Sequence, residues 1–239
     1  PDEFNIATPA DWRPGDAGSP VSGTSSPIFY SSFRTKLISL HSKSKMRNES
    51  HHICPWWAGY FLINPLRKLS EDPDKIFAPY IRPGMTIIDY GCAMGYFSIP
   101  LARMTGPSGK VHCFDIQERM LKKLEQRARR RNLQKIISPH LITGNDKADF
   151  EGMEQSSDLV LLYHVVHEVP EQSLLFKNIC RMMKPGALLY FAEPPGHVKA
   201  VEFDQSVEYA RQAGFVVEKS RADLKKNSVL FKKTKQTSQ

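Results

Sequence analysis

The sequence predicts an α/β protein built on a doubly wound, mostly parallel sheet. Three observations point there. A short apolar run, Met85 to Ile88, ends in Asp89 and is followed by two glycines and a helix-like segment through Arg103. That is the pattern of a strand, a tight turn and a helix N-terminus. A second strand-like run, Lys110 to Phe114, ends in another acid, Asp115. Strand-like and helix-like runs then alternate, with short turns, to the end of the chain, as a parallel sheet with crossover helices requires.

Each element follows in order. Glycine has no Cβ and tolerates positive φ, so the turn at Gly91 and Gly95 lets a backbone approach a ligand closely. The helix after it offers free N–H groups and a positive dipole end to an anionic group. The dinucleotide fingerprint does not fit, because Gly91-Cys92-Ala93-Met94-Gly95-Tyr96 reads G-x-A-x-G with tyrosine where a last glycine should stand. Asp115 ends the second strand about 20 positions past the turn, where a carboxylate suits two ribose hydroxyls. An N-cap role for a helix starting near Gln117 is the alternative. Combined with Asp89 and the glycines, the ligand role is favoured.

Ile136 to Thr143 reads as a third strand, followed by Gly144-Asn145-Asp146. Asp158 to Tyr163 is continuously apolar after its leading acid, as buried parallel strands tend to be. A loop with His164, His167 and Glu168 leads to a helix from about Gln172 to Met183. Lys184-Pro185-Gly186 reads as a turn and Ala187 to Glu193 as the next strand. A helix from Val201 to Ala213 and two strand-like runs, Phe215 to Lys219 and Ser228 to Lys232, close the fold.

Asp89, Gly91 and Gly95 resemble motif I of the class I S-adenosylmethionine-dependent methyltransferases, with Ala93 in place of the central glycine. Lys184-Pro185-Gly186 is similar to that family's turn before its fifth strand. The resemblance spans roughly residues 46–233. It implies a seven-stranded sheet with a C-terminal antiparallel hairpin strand, and S-adenosyl-L-methionine as the cofactor. The cofactor residues it implies are Asp89, Gly91, Cys92, Gly95, Asp115, Ile116, Asn145 or Asp146, and Tyr163. Asp115 would take the ribose, Ile116 would flank the adenine, and Asn145 or (favoured) Asp146 would meet the adenine amino group.

Glu193-Pro194-Pro195-Gly196-His197-Val198 resembles the branch acting on small molecules, as in quinone biosynthesis. The base-modifying amino-methyltransferases carry Asn/Asp-Pro-Pro-Tyr/Phe after the fourth strand. Here that place reads Tyr163-His164-Val165-Val166, so adenine or cytosine N-methylation in DNA is disfavoured. The expected activity is methyl transfer to a small-molecule acceptor. The alternatives are a decayed, binding or regulatory protein of the same fold and a methyltransferase acting on RNA or protein. An NAD-dependent oxidoreductase is disfavoured by the glycine spacing.

Ligands of such sheets sit outside the carboxyl ends of the strands. A general base is needed only for a poorly acidic acceptor, and histidine suits that task near neutral pH. His164 and His167 are the first candidates and His197 the second. His164, His167 and Glu168 lack the helical spacing of zinc sites, so no metal is expected. The aromatic segment His51 to Phe61 is a candidate lid, with Trp56, Trp57 and Tyr60 facing the substrate together with Glu193. The alternative is a helix packing Trp56, Phe61 and Leu62 on the core.

A chain of 239 residues, 41% hydrophobic, can bury one good-sized core. The expected organisation is a disordered tail over 1–45, a domain over 46–233 whose 46–80 portion is helical or lid-forming, and a tail over 234–239. Ala7 to Asp16 is similar to the tail segment of peroxiredoxins, but no peroxidatic cysteine accompanies it and no peroxidase activity is inferred. Arg34 to Arg47 reads as a basic linker. Four cysteines without a C-x-x-C predict reduced thiols and a cytoplasmic location. No apolar run approaches about 18 residues, and residues 1–27 lack a signal-peptide core. The net charge of +8 concentrates in Lys122, Lys123, Arg127, Arg129, Arg130 and Arg131, and in Lys232, Lys233 and Lys235. The first group reads as a solvated helix face, and no nucleic-acid module accompanies it, so a nucleic-acid partner is disfavoured. Oligomeric state is not specified by these patterns.

Overall fold

A computed structural model describes residues 59, 63–144, 150–220, 224 and 227–234. The expected roles of Trp56, Trp57 and Tyr60 and of Asn145 and Asp146 lie outside these residues, as does the segment before residue 46.

A 3-10 turn, Pro65–Leu69, and a short helix, α1 (Pro73–Phe77), precede the first strand. Then follow β1 (Thr86–Tyr90), α2 (Ser98–Thr105), β2 (Lys110–Asp115), α3 (Glu118–Arg129), β3 (Ile137–Leu141) and β4 (Ser157–Tyr163). After β4 come α4 (Gln172–Met182), β5 (Met183–Ala192), α5 (Ala200–Gln212), β6 (Phe215–Lys219) and β7 (Ser228–Lys233). The seven strands form one sheet in the order β3-β2-β1-β4-β5-β7-β6. β1 to β5 run parallel, and β7 pairs antiparallel with both β5 and β6.

Strand side chains alternate between two faces. Ile87 and Leu161 pack with Ile99, Leu101, Leu121 and Leu124 under α2 and α3. Ile88 and Leu162 pack with Leu175, Phe176, Ile179 and Phe203 under α4 and α5. α3 buries Met120, Leu121, Leu124 and Ala128, a one-sided helical spacing that puts its charged residues on the other sides.

Two boundaries differ from the sequence reading. Asp89 lies inside β1 rather than after it, and is 3% exposed. Lys184-Pro185-Gly186 is a bulge within β5 rather than a turn before it. Ser157 pairs with Met183, but Leu159 pairs with Leu188, so the three residues loop out of the ladder. Pro185 cannot donate to a neighbouring strand, and Gly186 sits at φ +80. Lys184 is held there by Asp158 at 2.7 Å. The Lys233 ammonium is buried and donates to the carbonyls of Cys180 and Met183, each at 2.7 Å. No described helix is long and apolar enough to cross a membrane.

Candidate active site

The sheet order reverses direction between β1 and β4. Such a switch point opens a crevice at the carboxyl ends of the strands. The turn after β1 (residues 91–97) and the loop after β4 (residues 164–169) meet there. A Cβ on Gly91 would lie 2.5 Å from Val165 Cγ2, and one on Gly95 would lie 2.2 Å from Leu124 Cδ1. Both glycines have φ near +75. Their missing side chains are therefore filled by the protein itself, by Val165 from the neighbouring loop and Leu124 from α3. Ala93, which stands where motif I has its central glycine, also has positive φ (46). Its N–H donates to Asp115 Oδ2 at 2.9 Å.

Asp115 thus closes the turn of β1 onto the end of β2. Its other oxygen accepts from Gln117 N–H at 2.8 Å, so it also organises the start of α3. The expected ligand role and the expected capping role coincide in one carboxylate. Each oxygen keeps a lone pair free for a further donor. Burial raises the Asp115 pKa, against the backbone N–H bonds that lower it. Asp89 is buried more deeply and accepts from Ser98 Oγ of α2 at 2.5 Å. Burial pushes its pKa up to about 7, against the Ser98 bond. Asp89 therefore braces the turn from below. Cys92 is buried beside it, and Ile116 is 40% exposed.

Across the crevice, His167 and Glu193 form a pair. Glu193, at the end of β5, is 2% exposed. One carboxylate oxygen accepts the His167 backbone N–H at 3.0 Å, and the other lies 2.7 Å from His167 Nδ1. An ionised carboxylate only accepts, so Nδ1 carries the proton and Nε2 is left as an acceptor. Burial disfavours the imidazolium, but the Glu193 hydrogen bond and charge, with Glu168 adding to them, raise the His167 pKa. His197 packs edge-on against His167 at 5.0 Å between ring centroids. The three expected histidines are thus not equivalent. His164 has φ +60, and burial lowers its pKa to about 4, so it is neutral near pH 7.

Two residues packed beside the crevice escape the sequence reading. Arg67 and Glu71 pair at 2.6 Å. The Arg67 guanidinium lies 4.4 Å from the Tyr96 ring centroid and 5.9 Å from that of Tyr163. Glu71 lies 3.6 Å from His164 Nε2, and its backbone carbonyl accepts from Tyr96 OH at 2.6 Å. Burial, then the charge of Glu71, raises the Tyr163 pKa. The segment before β1 is thereby strapped across the carboxyl ends of β1 and β4. Gly59 belongs to the same strap: a Cβ there would lie 2.7 Å from Met120 Sδ and 2.9 Å from Met94 Cε. No group of three or more metal-ligating side chains converges among the described residues.

A family model described as "Methyltransferase domain" matches residues 81–234. The demethylmenaquinone methyltransferase of Geobacillus stearothermophilus is 32% identical over 127 residues, which cover 53% of each chain. The ubiquinone biosynthesis O-methyltransferase of Shewanella sp. (strain ANA-3) is 28% identical over 163 residues, covering 64% of each chain. The chain spans about half the length of the curated relatives it matches first. A SAM-dependent methyltransferase from Aquifex aeolicus superposes with a TM-score of 0.65, covering 75% of this chain and 99% of that one at 21% identity, a likeness of fold.

Proposed function

Because the chain belongs to the methyltransferase-domain family matched over residues 81–234, we propose that it transfers a methyl group from S-adenosyl-L-methionine to a small-molecule acceptor of the quinone-precursor type. The observation that carries this reading is the joint of β1 and β2. There the turn at residues 91–95 is tied by the Ala93 N–H to Asp115, which keeps acceptor capacity for a ribose diol. The cofactor supplies an activated methyl on a sulfonium.

This chain's residues then do four things. Asp115 and Ile116 would hold the nucleoside, and Cys92 lines the same turn. Arg67, Tyr96 and Tyr163 close one side of the crevice and exclude water. His167 Nε2 would take a proton from the acceptor as it is methylated. Glu193 fixes the ring and stabilises the imidazolium that results. The resemblance of residues 193–198 and the printed names of the curated relatives support an acceptor of quinone-precursor chemistry. The free thiols of Cys92, Cys113 and Cys180 support a reducing, cytoplasmic location.

The test is cofactor-dependent melting. S-adenosylmethionine or its homocysteine product at a hundredfold excess over the dissociation constant should stabilise the protein by about 2.7 kcal/mol, and NAD should not. A shift with NAD and none with the sulfonium cofactor would overturn the reading.

A further inference from the structure

On the face formed by residues 63–68, α2 and α3, two cavities adjoin, of about 260 and 180 Å3. Lys123, Arg127, Arg130 and Arg131 line the first; Lys68, Arg103, Arg127 and Arg131 line the second. Among the described residues, no Asp or Glu lines either one. Lys123 and Arg127 of α3 and Arg130 and Arg131 just past its end face this cleft together, where like charges repel. The Arg127 guanidinium is held against the Met94 carbonyl, and Arg131 donates to the Arg127 carbonyl at 3.2 Å. Four of the six basic residues therefore line a cleft, Lys123 and Arg127 half-buried and Arg130 and Arg131 exposed at its rim. Guanidinium groups gathered this way match phosphate oxygens.

A second observation lies beside the cleft. Leu66 is 70% exposed and Leu69 88% exposed. They stand three residues apart in a 3-10 turn, where positions i and i+3 eclipse, so both project on one side. Arg67, between them, turns inward over Tyr96, while Lys68 lines the second cavity and pairs with Asp74 at 3.3 Å. A free phosphate would use the cations and not the leucines, and so would an RNA backbone. An anionic bilayer uses both, because headgroup phosphates meet the cations while apolar tips enter the acyl boundary.

We propose that this face docks on an anionic membrane surface, with lipid phosphates in the two cavities and Leu66 and Leu69 inserted beside them. The proposal rests on the surface alone and is independent of which acceptor is methylated.

Flotation of the full chain with vesicles tests it. Equimolar phosphatidylglycerol and phosphatidylcholine should carry the protein, and pure phosphatidylcholine should carry at least about tenfold less, at roughly 0.1 M ionic strength. Arg130→Glu with Arg131→Glu should reduce partitioning about tenfold or more, and Arg130→Gln with Arg131→Gln serves if that variant melts early. Leu66→Ser with Leu69→Ser should reduce partitioning to a similar degree, with the melting temperature unchanged. The leucine variant should still bind inorganic diphosphate as the wild type does. Equal partitioning to neutral vesicles would overturn the proposal, as would partitioning insensitive to the charge variants. So would leucine variants that float normally while free diphosphate or a single-stranded RNA binds more tightly than the vesicles.

Discussion

Asp115 holds two backbone N–H groups on one side of the crevice: Ala93 in the turn after β1 and Gln117 at the start of α3. Asp115→Ala should therefore act twice. Without ligand it orphans two largely buried donors and should cost about 1–3 kcal/mol, seen as a lower melting temperature. With S-adenosylmethionine it also removes the ribose acceptor, and affinity should fall about tenfold to a hundredfold by calorimetric titration. A variant that melts and binds like the wild type would remove Asp115 from both roles. His167 carries the second prediction at this scale. Its pKa is raised, and the base must be unprotonated, so kcat/KM should climb with pH through a value above the ordinary histidine pKa of about 6.5. Glu193→Gln should lower kcat/KM about tenfold to a hundredfold and move that limb to lower pH. A slower enzyme with an unmoved limb would mean that Glu193 only supports the fold. His167 and Glu193 were each legible as loop residues at strand ends. Their pairing was not, because 26 residues separate them and only the β4–β5 ladder brings them together. Arg67 and Glu71 were invisible for a different reason. An i,i+4 Arg/Glu pair looks like any surface salt bridge until the rings of Tyr96 and Tyr163 are seen beneath it.

At the scale of elements, the crevice depends on two loops pressed together. Gly91→Ala would put a methyl 2.5 Å from Val165 at a φ of +75, which side chains avoid. Overpacking costs about 1–3 kcal/mol and the left-handed backbone about 1–2 kcal/mol more. The loss should appear in chemical denaturation, and Val165→Ala should recover some of the packing part, since Val165 Cβ at 2.8 Å remains, and none of the backbone part. No loss in the single variant, or no recovery on adding Val165→Ala, would show that the two loops are not in contact. Most elements were legible, because the parallel strands are continuous apolar runs and α3 has one apolar side. Lys184-Pro185-Gly186 misled, since Pro and Gly signal a turn wherever they stand. Pairing of Met183 with Ser157 is a long-range fact that local chemistry does not record. The packing use of Gly91 and Gly95 was equally hidden, because their occupants come from Val165 and Leu124.

For the whole molecule, the charge balance that composition records as +8 resolves into groups with different surroundings. Three histidines disfavour protonation in the folded chain. His112 and His164 have pKa values lowered to about 4, by burial first, and His140 is lowered by burial. His112 Nδ1 lies 2.9 Å from His140 Nε2 across β2 and β3, so a proton added to either repels the other ring. An unfolded histidine titrates near 6.5, so each of these contributes stability that is lost as pH falls below about 6.5, for His112 and His164 down to about 4. Asp89 and Asp115 act in the opposite direction. Their folded pKa values are raised, so they take up protons before the unfolded chain does and stabilise the fold on acidification. His167, with a raised pKa, contributes stability that is complete below about 6.5 and is lost as pH rises through its folded value. His112 and His164, lowered to about 4, outweigh Asp89, raised to about 7, while His140 and Asp115 shift in opposite senses, so the melting temperature should peak near pH 6.5. On the acid side it should decline by the equivalent of about 1.4 kcal/mol per pH unit for each net proton. His112→Leu removes one of the three and should flatten the acid side without shifting the alkaline side, which belongs to His167 and Asp89. Melting followed from pH 4.5 to 8 separates the two sides. A wild-type protein that grows more stable from pH 6.5 to 4.5 would show that the two aspartates, and not the three histidines, set its response to acid.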